Sequence, residues 1–221
     1  MKDKEAKIPD VKEFVARCRD FDERKKGDPL FKMYGVATFL LNQSWGDPAG
    51  MADGVSVFLV TWNWTFFNKF GRYNFDHLTQ CLAANLDVLA TYRARAIYDM
   101  TPADEPAAVR LFGAFLAALR SDTREAAGPE SPIAAGKTLH ILCPDFFPLW
   151  DRESALNYCA DYAEHSAEKY VHFCRAARRI LTALREEPAF ARLCAETGKP
   201  PLKLFDEYNF SKFNKGWPVT Y

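Results

Sequence analysis

Apolar residues recur every three or four positions over most of this chain, a spacing that puts them on one stripe of an α-helix. The pattern is plainest in residues 77–97, where Leu78, Leu82, Leu86 and Leu89 share a face, and in 104–120, where Phe112, Phe115, Leu116 and Leu119 do. Further helices are predicted over 11–24, 30–42, 133–143, 166–185 and 189–197, with another starting near Arg152. Residues 51–69 are almost wholly apolar, and their Val, Phe and Trp content suits helix or strand. Their length favours one buried helix. The breaks between segments carry turn chemistry: KKGDP after the first, SWGDPAG after the second, Thr101-Pro102 before the 104–120 segment and Pro144 after 133–143. A polar linker is expected over 120–132. The tail FDEYNFSKFNKGWPVTY is aromatic and basic, too hydrophobic for a free linker, and is expected to pack back across the body. The fold class that follows is all-α: one compact helical array over 1–221, with room for two intimate helical subdomains and a cleft near 131–158.

Composition narrows the class. Hydrophobic residues make up 48% of the 221, and 18 Phe, 9 Tyr and 5 Trp can supply a solid core without disulfides or metal. No apolar run reaches the roughly 20 residues needed to span a bilayer, and residues 1–10 are charged, so a cytoplasmic protein without membrane association is expected. Six widely spaced cysteines without a CxxC pair, and only four histidines, predict reduced thiols, no metal site and no cofactor. The net charge is zero, which argues against a surface that coats nucleic acid. It is unevenly spread, however: residues 169–221 hold ten Lys/Arg and five Asp/Glu, a net of +5. Within that region Arg175, Arg178 and Arg179 are the candidate phosphate contacts.

The densest chemistry lies in SPIAAGKTLHILCPDFFPLWDR, residues 131–152. It sets Lys137, His140 and Asp151 among side chains of the kind that fill cores, where an ionisable group is costly unless it is used. On a helix Lys137 and His140 face one side. Asp151 is also well placed to cap the helix that follows.

The stretch Pro132-Ile133-Ala134-Ala135-Gly136-Lys137, with Asp151 after FFPLW, resembles the lysine-plus-aspartate signature of the helix-hairpin-helix DNA glycosylase superfamily, in particular its 8-oxoguanine glycosylase-like branches. That family writes its hairpin L-P-G-x-G-x-K. Here Ile133 and Ala135 replace both glycines and Gly136 stands one position away, so the hairpin is degenerate. Lysine and aspartate are 14 residues apart. The resemblance implies a helical array with a lysine presented by the first turn of a helix, and cleavage of a base–sugar bond in double-stranded DNA. Asp151 would stabilise the positive charge that develops on the sugar, or orient water. Lys137 would touch phosphate or attack the anomeric carbon.

An extruded base needs a stacking pocket, and Trp62, Asn63, Trp64, His140 and Trp150 are the candidates for it. By position after an early helix, Asn42 and Gln43 are similar to the residues with which these glycosylases fill the gap left in the duplex, and Trp45 stands beside them. The polar amides suggest a bulky hydroxylated or glycosylated base, of the kind some phage genomes carry. The expected partner is therefore double-stranded DNA carrying a modified or damaged base, bound by a monomer. The alternative is a non-catalytic helical module that binds nucleic acid or protein, for example in a defence system.

Overall fold

The computed structural model describes residues 7–121, 128–161 and 163–218. Among them are eleven α-helices and no strand: α1 Val11–Lys25, α2 Pro29–Gln43, α3 Pro48–Trp62, α4 Trp64–Phe70, α5 Phe75–Arg93, α6 Glu105–Ala118, α7 Pro132–Leu142, α8 Arg152–Asn157, α9 Ser166–Arg185, α10 Pro188–Thr197 and α11 Pro201–Asn209. A π-helical turn, Phe210–Asn214, continues α11. No helix among the described residues is long and apolar enough to cross a membrane. The all-helical class expected from periodicity is what the structure shows.

Helix starts follow local chemistry. The side chains of Asp10, Asp28, Asp47, Asn74, Ser131 and Asp151 each accept a hydrogen bond from backbone N–H groups of the first turn. Such caps satisfy donors that the helix itself leaves unpaired, each worth about 1 kcal/mol. Proline follows the cap in α2, α3 and α7, where its missing N–H costs nothing.

Two expectations are corrected. The apolar run 51–69 is two helices, not one, because Asn63 leaves helical geometry (φ −129°, ψ 25°) and serves as both the end of α3 and the start of α4. The segment at 132–137 is not a hairpin. Pro132 opens α7 directly and the chain is helical from there, so Lys137 sits in the second turn. The tail does pack back, and it does so as a helix, α11, whose face against α1 is buried. Of the polar linker expected at 120–132, residues 122–127 lie outside the described residues.

α7 is the spine of the molecule. Eight of its eleven residues are buried, and it touches α2, α3, α6 and α9. On one side stand α2, α3, α5 and α6; α9 lies on another, and α1, α10 and α11 pack together beyond it. Buried residues of both groups belong to one contiguous apolar cluster. Gly136 permits a close approach: a Cβ there would lie 3.2 Å from Trp150 Cβ and 3.3 Å from the Tyr170 ring, both wholly buried. Neither neighbour has room to yield. Gly136→Val is therefore expected to destabilise the fold by about 1–3 kcal/mol, the usual range for overpacking. A lowered urea midpoint with an unchanged slope would register it.

Candidate functional site

A cavity of about 260 Å³ lies where α1, α2, α3, α7, α11 and the 149–151 turn converge. Phe21, Phe31, Trp62, Leu149 and Trp150 form its walls, Leu30 stands at its rim, and Lys25, Thr61, Lys137, Asp151, Asp206 and Asn214 give it polar groups. The walls are braced by edge-on ring contacts, Phe31 to Trp62 at 5.2 Å and Phe21 to Phe31 at 5.0 Å. Trp150 is held between Phe112 and Tyr170, with centroids 5.7 and 5.4 Å away. Flat apolar walls with a few fixed polar groups are what a small planar ligand needs.

The break at Asn63 prepares the place for Lys137. Ending α3 at Trp62 leaves that residue's carbonyl without an intrahelical donor, and Lys137 Nζ donates to it. An ammonium is thus held at the negative end of a helix, not at an N-terminus. Burial lowers the Lys137 pKa to about 8, although the negative charges of Asp151 and Asp206 pull the other way.

Asp151 does two jobs. Its Oδ1 accepts from the backbone N–H of Ser154 at 2.8 Å, capping α8, while its Oδ2 accepts from Asn214 Nδ2 at 3.2 Å. Burial raises its pKa; the Ser154 bonds and Lys137 oppose that rise, and Asp206 adds to it. Asn214 comes from the π-helical turn, a local irregularity that often marks a working site.

Of the residues singled out in the sequence, Lys137, Asp151, Trp62 and Trp150 meet in this cavity. The others do not. Asn63 donates to Ser131 Oγ at 3.1 Å, so its amide has a partner within the chain. Trp64, 56% exposed, lies with Asn63 in a shallow surface groove that shares only Leu30, Thr61 and Trp62 with the cavity. Asn42 and Trp45 are engaged with Arg93, whose guanidinium lies 4.1 Å over the Trp45 ring and donates to Asn42 Oδ1 and the Leu142 carbonyl. Gln43 is exposed at the end of α2, and none of the three lines the cavity. Arg175, Arg178 and Arg179 lie along α9, with Arg175 3.4 Å from Glu105.

His140 is a core group and not a pocket group. It is wholly buried, its Nδ1 lies 2.8 Å from the Phe147 carbonyl and its Nε2 lies 2.9 Å from Tyr34 Oη. A carbonyl can only accept, so Nδ1 carries the proton and Nε2 accepts from the tyrosine hydroxyl. Both nitrogens are thereby used.

Asp206, Lys203 and Asn214 were not singled out from the sequence. Their signal was present in part: Lys203, Asp206 and Glu207 stand at helical i, i+3 and i+4 spacing behind Pro200-Pro201, a helix start. Nothing local says that this helix returns to the cavity.

Burial lowers the His140 pKa to about 4, from an ordinary value near 6.5. The folded state therefore prefers the neutral ring: its contribution to stability is complete above about pH 6.5 and is lost as pH falls towards 4. A loss of up to about 3 kcal/mol is expected across that window. Unfolding free energies measured between pH 7 and 4 should show it, and His140→Gln should flatten the profile while lowering stability at pH 7.

Comparison of the chain with models of protein families, with curated proteins and with solved structures finds no match.

Proposed function

We propose that the cavity receives a modified or damaged base turned out of a DNA duplex, and that Asp151 assists cleavage of its bond to the sugar. The observation that carries this reading is the meeting of Lys137 and Asp151, from different elements, in one aromatic-walled cavity. Rings of Trp62, Phe31 and Trp150 offer stacking to any base. As the glycosidic bond lengthens, positive charge builds on the sugar, and a carboxylate at the cavity wall stabilises it. Asp151 accepts from Ser154 through Oδ1 and from Asn214 through Oδ2, and of the roughly four lone-pair sites of a carboxylate at least one is left for the sugar or for an attacking water.

Lys137 fits an electrostatic role better than a nucleophilic one. Its ammonium is tied to the Trp62 carbonyl, and a pKa of about 8 leaves most of it protonated at pH 7. A positive group beside the base favours departure of an anionic leaving group. The proposed route is therefore attack by water.

Incubation with duplexes carrying 8-oxoguanine, uracil, alkylated, hydroxymethylated or glucosylated bases should release a free base from at least one. Asp151→Asn, which keeps the side chain's shape and its acceptor for Ser154, should lower the single-turnover rate by at least a hundredfold with little change in stability. Undiminished release would overturn the assignment, and release from no duplex would favour a binding module. Borohydride should trap no adduct at pH 7. An adduct at Lys137 whose yield climbs through pH 8 would replace the water route with an imine.

A further inference from the structure

Asp206 is the one carboxylate of the cavity that the proposed cleavage does not use. Its Oδ2 accepts from Lys203 Nζ at 2.6 Å, and its Oδ1 has no hydrogen-bond partner among the described residues. Lys137 donates to Trp62, and Asp151 accepts from Ser154 and Asn214.

Lys203 explains why Asp206 is held so firmly. It is only 5% exposed, and its ammonium lies 5.4 to 5.7 Å from the ring centroids of Trp62, Tyr34, Phe31 and Phe21. Four rings around one cation form an aromatic cage, filled here by the chain's own lysine. Glu207 lies 3.7 Å away as a second counter-charge. Burial alone would lower the Lys203 pKa, but Asp206 and Glu207 outweigh it and the pKa is raised. Three of the cage rings, Phe21, Phe31 and Trp62, are also cavity walls. The buried lysine thus fixes the stacking surface and the carboxylate beside it together.

We propose that Asp206 is the specificity-determining residue of this cavity and that it selects bases presenting an N–H donor, such as an exocyclic amine, to its Oδ1. This rests on the reading of the cavity as a nucleobase site. Stacking rings accept any base, so discrimination falls to the polar groups, and an ionised carboxylate only accepts. A base edge with acceptors alone would leave the carboxylate oxygen without a partner and set like partial charges against each other.

Binding can be measured apart from cleavage. The probes are three deoxynucleosides: deoxyadenosine and 2-aminopurine deoxyriboside, whose bases carry an exocyclic amine, and purine deoxyriboside, whose base has no N–H. Titrations of the full chain, followed by NMR chemical shifts, should give a Kd for the amino-bearing pair roughly ten- to a hundredfold below that for purine deoxyriboside, the worth of one hydrogen bond to a charged group. Asp206→Asn should remove most of that difference. Equal affinity for the three in the wild-type protein, binding of none of them, or a preference that survives in a folded Asp206→Asn variant would overturn the proposal. If that variant does not fold, the wild-type ratio decides alone. Base release from DNA is a separate readout: an amine preference without release would leave this inference standing and remove the cleavage reading, whereas release with no preference would do the reverse.

Discussion

An ammonium inside an apolar core must be given acceptors, and in this protein two such ammoniums, those of Lys137 and Lys203, dictate how the helices meet. Leaving either charge unpaired in the interior would cost several kcal/mol. Lys137 takes the open carbonyl at the end of α3 and lies within the fields of Asp151 and Asp206. Lys203 takes Asp206, with Glu207 close by, inside four aromatic rings. Each solution joins segments far apart in the chain: α7 to α3, and α11 to α1, α2 and α3.

The same arrangement gives the cavity its chemical character. Its walls are rings held edge-on by one another, so they cannot collapse into the space they enclose. Its carboxylates are held by different partners, a helix cap and a tail amide for Asp151, and a caged lysine for Asp206. Two acidic groups in distinct environments can do different work in one site.

Central placement of α7 links stability to the site. Gly136 lets Trp150 and Tyr170 close over the helix, which brings Trp150 and the adjacent Asp151 beside Lys137. His140, three residues after Lys137, points away into the core and anchors α7 to Tyr34 of α2 and to the Phe147 carbonyl. One turn of helix thus separates a group that faces the cavity from one that holds the scaffold.

Much of the fold was legible in the chain. Three-and-four periodicity located most of the helices, the Gly- and Pro-bearing breaks KKGDP and SWGDPAG separated them, and Asp151 was read as a cap for the helix after it, because turn and capping chemistry act within a few residues. Lys137 and Asp151 were singled out together by the resemblance of residues 132–151 to a lysine-plus-aspartate signature, and both line the cavity. The break at Asn63 was not legible, for no Gly or Pro marks it and the carbonyl it frees is used by a lysine far along the chain, a tertiary contact. Nor could the sequence say that Asn63, Asn42 and Trp45 would be claimed by Ser131 and Arg93, or that Asp206 would complete the cavity. Hydrogen-bond caps and helical stripes are short-range and written in neighbouring residues. Which buried charge finds which acceptor depends on how the helices close around it, and only the folded chain decides that.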